Sequence, residues 1–125
     1  MRVLFSIHPI YAAMIVSGEK RYELRRKVPA RQEATHFAVY ATAPVGGVVV
    51  EGRIGEVLSL DPEELWDVVS ASCGLCKNDF DRYFHGCNVA NAIELCDVST
   101  FDRAVPLSVY APKLKRPPQS FAYLA

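Results

Sequence analysis

The stretch Val48–Leu60 constrains this chain most: it is β-rich from end to end and carries glycines at positions 52 and 55. Ordinary strands run about five or six residues. A longer one with glycines inside it must bulge or bend, as strands do where a sheet curls into a small barrel. The stretch closes on Asp61-Pro62-Glu63-Glu64, an Asp N-cap, a Pro at the first helical position and a Glu three residues after the cap. Leu65, Trp66, Val68 and Val69 are the expected buried face of the helix that follows.

The rest of the chain reads outward from that point. Arg2–Ile7 is a short β-rich run, and Pro9 opens a helix with Ile10, Ala13, Met14 and Val16 near helical spacing. Gly18 ends that helix. Lys20–Arg26 alternates as a strand, with Lys20, Tyr22, Leu24 and Arg26 on one face and Arg21, Glu23 and Arg25 on the other. Residues 27–35, polar and holding Pro29, form a loop. His36–Thr42 is a strand with Phe37, Val39 and Ala41 on one face, and Ala43–Gly47 is a turn. A short helix is expected over Asn78–Phe84, a strand over Val89–Val98, and closing strands or extended loops over Phe101–Leu107 and the last residues. Consecutive strands joined mostly by turns predict an α+β fold in one domain, residues 1–125. Its mixed or antiparallel sheet curls into a small β-barrel with flanking helices.

At 125 residues, half of them hydrophobic, the chain can bury a real core. No apolar run is long enough to span a bilayer, so no membrane association is expected. Nothing resembles an export signal, which predicts a cytoplasmic, reducing setting and unpaired cysteines. The zero net charge hides a strong asymmetry. Residues 1–50 hold seven Lys/Arg against three Asp/Glu, residues 51–102 three against eleven, and residues 103–125 four against none. If the basic ends meet in the fold, a neutral protein gains a face able to collect phosphate-bearing ligands. Otherwise these are ordinary solvated charges.

The densest chemistry lies in Gly18-Glu19-Lys20-Arg21-Tyr22-Glu23-Leu24-Arg25-Arg26. Lining a cleft, Glu23 would orient Lys20 or Arg25 while the freed cation meets a phosphate or a base edge. On a solvated edge the same charges would guard the strand against aggregation.

The pattern G-x-K-x-x-E-x-R after an N-terminal strand and helix resembles the ASCH domain family, a relative of the PUA fold. Ser6-Ile7-His8-Pro9, Tyr40–Val45, Phe80–Gly86 with Ala90–Ile93, and Pro118-Gln119-Ser120-Phe121 resemble further segments of that family, in order along the chain. The resemblance implies a PUA-like β-barrel and a cleft for a nucleic acid, RNA above all, or a nucleotide, with a regulatory role in transcription among the expectations. It carries Lys20, Glu23 and Arg25 into the cleft, joined by Ser6, His8, Thr42, Gln119 and Ser120. His8 stands where the family often has a lysine, which makes a phosphate contact there weaker and pH-dependent. One branch resembles amidohydrolases acting on modified cytidine through a Lys, a Thr and a Glu; here Glu23 stands in the place of that Thr. A nuclease in the same cleft is the other enzymatic alternative. Either enzyme would need Lys20 neutral, as nucleophile or base, with Glu23 or Glu51 carrying the proton.

No cofactor is expected. Cys73, Cys76, His85 and Cys87 form a weak zinc candidate: Cys73–Cys76 has ligand spacing, but His85 and Cys87 stand only two positions apart. Cys96, between Glu94 and Val98 in a strand, reads as a buried apolar residue. Trp66 is assigned to the core. Tyr22, inside the charged motif, is the tyrosine best placed to stack on a base.

Overall fold

The computed structural model describes residues 1–125. Strand β1 (Arg2–Ile7) leads into helix α1 (Pro9–Ser17) and the short strand β2 (Tyr22–Arg25). Strands β3 (His36–Ala41) and β4 (Gly47–Leu60) follow, then helices α2 (Pro62–Val69) and α3 (Lys77–Tyr83). Strand β5 (Ala90–Val105), helix α4 (Leu107–Tyr110) and strand β6 (Phe121–Leu124) complete the chain. The six strands form one mixed sheet in the order β2-β5-β4-β3-β1-β6. Only β1 and β3 pair in parallel; every other neighbour is antiparallel.

The two long strands cause the sheet to curl. Between β4 and β5 the register slips at three places, each an irregularity that bends the pair. Gly52 sits where a Cβ would come within 2.6 Å of the Cys96 carbonyl oxygen and 2.7 Å of the Phe37 ring. Only a residue without a side chain lets the strands approach so closely. Asp97, with φ of 50°, takes the left-handed conformation within β5 at the slip between the Glu51–Ser99 and Arg53–Cys96 pairs, a position Asp tolerates better than most residues. The segments read as a strand at Val89–Val98 and closing pieces at Phe101–Leu107 are therefore one strand, and the short α4 was not anticipated.

The curled sheet is a half-barrel, buried on both faces near its middle. Val3, Phe5, Phe37, Val39 and Val50 fill its concave side together with Ala12 and Ile15 of α1. Leu4, Ala38 and Val48 pack on the other face against the α4 segment. Leu24, Leu65, Val69, Phe80 and Phe84 make a second core between β2, β5 and helices α2 and α3.

Packing decides one face that spacing left open and corrects two expectations. Helix α1 buries Ala12 and Ile15, while Ile10 is 60% and Val16 45% exposed. The helix is apolar all round, so spacing alone could not choose its inner face. Val68 is 54% exposed, leaving Leu65 and Val69 inward with Trp66 half-buried against Phe80. Cys96 is half-buried beside Glu94 on the outer face.

Candidate functional site

Gly18, in the left-handed conformation at φ 87°, ends α1 and turns the chain so that the Lys20 amide donates to the Met14 carbonyl. Lys20 thus precedes β2 instead of belonging to it, and the strand alternation that separated it from Glu23 does not apply. Its side chain turns inward and is only 4% exposed. Nζ donates to the Cys73 carbonyl oxygen at 2.5 Å, lies 3.6 Å from Glu23 Oε1 and stands 5.7 Å from the Tyr11 ring centre. Gly74, at φ 80°, gives the lysine stem room: a Cβ there would approach Lys20 Cδ to 3.4 Å and Met14 Sδ to 3.1 Å.

Glu23 and Arg25 face the same way from β2, both buried. Arg25 Nε and Nη2 each approach Glu23 Oε2 at 2.8 Å in a two-pronged pair. The rest of the guanidinium reaches across the open side of the half-barrel. Nη1 donates to Ser120 Oγ at 2.9 Å and Nη2 to the Ser6 carbonyl at 3.2 Å, while the group lies 4.9 Å from the Phe5 ring centre. One side chain therefore ties edge strand β2 to β1 and to the entrance of β6. Asn91 supports it, donating to the Arg25 and Arg26 carbonyls while accepting from Ser59.

These residues floor a cavity of about 450 Å³. Ser6 and His8 stand on one wall with Tyr11; Leu75, Asp79, Arg82 and Tyr83 of the α3 region stand on the other. Two buried cations share one carboxylate here, so the floor carries an excess positive charge in a poorly solvated place. Burial lowers the Lys20 pKa, with Glu23 acting against the shift. The molecule can relieve that charge by releasing the lysine proton or by taking in an anion. At the mouth, Arg82 and Asp79 stand 3.6 Å apart and well exposed, a pair of little energetic weight.

The eight candidate residues divide. Ser6, His8, Lys20, Glu23 and Arg25 line the cavity. Ser120 borders it through Arg25, whereas Gln119 is exposed and Thr42 half-buried, neither on the lining. Several have structural occupations as well. Ser6 Oγ donates to the Pro118 carbonyl, and His8 is the N-cap of α1, its Nδ1 accepting from the Ile10 amide at 3.2 Å. That bond leaves Nε2 as the ring nitrogen free for a ligand.

Tyr22 packs against the second core and does not line the cavity; Tyr11 and Tyr83 do. Tyr11 was missed, although it stands in the first turn of α1, three residues after the His8 cap, with its ring centre 6.2 Å from the imidazole. Glu51 lies elsewhere, accepting from the Tyr110 hydroxyl at 2.5 Å and lying 3.8 Å from Arg2. It cannot carry a proton for Lys20. Burial and the bond to Glu51 raise the Tyr110 pKa.

The zinc candidate is not assembled: no group of three or more His, Cys, Asp or Glu is placed to hold a metal ion. Cys73 is buried in the second core, Cys76 is exposed at the start of α3, and His85 is exposed. The Cys-Gly-Leu-Cys turn serves the lysine instead, through the Cys73 carbonyl and the space at Gly74.

A sequence model of the ASCH domain matches residues 5–99. An ASCH domain-containing ribonuclease of Zymomonas mobilis is 31% identical over 94 residues, which is 75% of this chain and 64% of that relative. The match thus spans just under two thirds of the relative's length. The crystal structure of ASCH from Zymomonas mobilis superposes with a TM-score of 0.88 at 28% identity, covering 99% of this chain and 87% of the other. The structure of a tyrosine-to-phenylalanine mutant of that protein gives the same TM-score and identity, covering 99% and 90%.

Proposed function

The chain belongs to the ASCH domain family, and from that premise we propose that it binds single-stranded RNA by taking one unstacked nucleotide into the Lys20–Glu23–Arg25 cavity. The observation that carries this reading is the unbalanced floor, two buried cations on one carboxylate, opening into a space of about 450 Å³. That volume suits one nucleotide, and Tyr11 and Tyr83 on its walls offer faces for a base. Lys20 has Nζ–H capacity beyond its bond to Cys73 and is the group that meets the phosphate. Arg25 is spent on the seam and positions Glu23. The ribonuclease relative favours RNA over DNA as the polymer. We place this activity in the cytoplasm, where four unpaired thiols persist; binding without turnover would suit a regulatory role in transcription.

Cleavage is the second reading, favoured by the lowered pKa of Lys20. A neutral amine there could take the proton of a ribose 2′-hydroxyl. The 2′-oxygen would attack phosphorus, the bond to the 5′-oxygen would break, and water at the mouth would protonate the leaving oxygen. The products would be a 2′,3′-cyclic phosphate and a free 5′-hydroxyl.

Fluorescence anisotropy with labelled single-stranded RNA, duplex RNA and single-stranded DNA tests the first reading. Binding should weaken with salt and fall at least about tenfold in Lys20→Met, a loss of roughly 1.4 kcal/mol. Lys20→Arg should keep binding and abolish any cleavage, because arginine stays protonated. If folded Lys20→Met binds like the wild type, the cavity is not the RNA site.

A further inference from the structure

The four cations of residues 103–125 face no acidic residue in their own segment. Three of them, Lys113, Lys115 and Arg116, sit on the loop between α4 and β6, all exposed and none in an ion pair. The loop is nonetheless held. Leu114 packs half-buried against the Leu4–Ala38–Val48 cluster, and its amide donates to the Ala111 carbonyl at 2.9 Å. Prolines at 112, 117 and 118 restrict the backbone on either side. The cations are therefore presented outward from an anchored turn, at a lower ordering cost than a free tail would carry.

The end of this loop is fixed at the cavity. Ser6, on the cavity wall, donates to the Pro118 carbonyl, and Arg25, on its floor, donates to Ser120. An extended chain advances roughly 3.5 Å per residue, so the cationic turn begins within roughly 18 Å of the cavity wall along the backbone. On the opposite side, Arg26 and Lys27 follow Arg25 directly, both exposed. Arg26 is pinned, donating to the Tyr83 carbonyl with its guanidinium 5.1 Å from that ring centre.

We propose that Lys113, Lys115 and Arg116 form a track for the phosphodiester backbone of the single strand whose nucleotide enters the cavity. The proposal rests on the RNA-binding reading of that cavity and extends it: the cavity takes a nucleotide, the loop takes the phosphates beside it. Sequence-independent phosphate contacts of this kind position a polymer and leave base choice to the pocket.

The test compares wild type, Lys20→Met and the triple variant Lys113→Gln/Lys115→Gln/Arg116→Gln. Each is titrated with a single-stranded RNA of about six nucleotides and with the four ribonucleoside 5′-monophosphates, across a salt series. All three substitutions are exposed, so melting curves should match the wild type. For the oligonucleotide the triple variant should lose about tenfold or more in affinity at low salt. Its dependence of log affinity on log salt should flatten by up to about 2, at about 0.7 per phosphate contact on a single strand. Monophosphate binding should not change. If the triple variant binds the oligonucleotide with wild-type affinity and slope while Lys20→Met fails, the track is wrong and the cavity reading stands. If Lys20→Met and wild type behave alike, the cavity reading falls and takes the track with it. Loss of binding to vesicles of phosphatidylglycerol and phosphatidylcholine, with the RNA isotherm unchanged, would reassign the loop to a membrane surface and overturn the proposal.

Discussion

At the scale of the residue, Lys20 and Arg25 are both buried cations with different work. Arg25 uses its whole fork on Glu23, Ser6 and Ser120. Replacing it leaves Glu23 short of a partner and the seam untied, so Arg25→Ala should cost about 3–5 kcal/mol of stability in urea unfolding. A binding defect in that variant would then report unfolding as much as lost contact, which is why Lys20 is the better probe of the site. Burial holds the Lys20 pKa down, so the folded state binds fewer protons than the unfolded chain between the lowered value and the ordinary one. The energetic penalty is full below the folded pKa and is relieved as pH rises toward the unfolded value. Wild-type stability should therefore climb from about pH 7 to about pH 9.5 more than that of Lys20→Met. Equal slopes for the two proteins would show that Lys20 is not desolvated. An anion in the cavity favours the protonated lysine, so at alkaline pH, where part of Lys20 is neutral, binding should draw in a proton. Calorimetry of RNA binding in buffers of different ionisation enthalpy should detect that uptake, with affinity falling as pH rises.

At the scale of the element, glycines decide how close the strands and turns can come. Gly52→Ala drives a Cβ into the Cys96 carbonyl and the Phe37 ring, backbone and core that cannot move away, and should cost about 1–3 kcal/mol. Gly55→Ala would meet Glu94 and Cys96 side-chain atoms at a partly open surface, and these can swing aside. Urea midpoints of the two variants should separate; equal losses would show that the outer side chains are as fixed as the core. Gly74→Ala combines left-handed strain of about 1–2 kcal/mol with crowding of the lysine stem. It should lower both stability and ligand affinity. In α1, Ile15→Ala should cost about 2–5 kcal/mol, and Ile10→Gln should stay within about 0.5 kcal/mol of wild type.

At the scale of the whole molecule, the half-barrel is open as a hydrogen-bonded sheet and is closed by a side chain. Strands β2 and β6 are the two edges, and Arg25 bridges from one to the approach of the other. Loosening that bridge in Arg25→Met should speed hydrogen exchange at the amides of β2 and β6 ahead of those in β3 and β4. Uniform acceleration across all six strands would mean that the bridge contributes only to global stability. The same closure places Lys20 and Arg25 of the basic N-terminal segment on the cavity floor and ties the end of the C-terminal loop to its wall through Pro118 and Ser120, while the acidic run Asp61–Asp67 stays on α2 and its cap.

The sequence by itself determined the elements whose signals are local. The Asp61-Pro62 helix start, the glycine stop at 18, the α+β class and the bend in β4 depend on backbone chemistry within a few residues, and they stand as read. It also marked Lys20, Glu23 and Arg25 as the densest charge cluster of the chain, fit for a cleft or for a solvated strand edge. Only the tertiary structure decided what each does. Which face of α1 is buried depends on what packs against a helix apolar on every side. Whether Arg25 is free depends on Ser120, 95 positions away. The lysine's anchor is the carbonyl of Cys73, 53 positions along the chain, in a motif whose spacing suggested metal. Backbone carbonyls carry no residue-specific signal, and long-range contacts have no period, so nothing local in the chain could announce them.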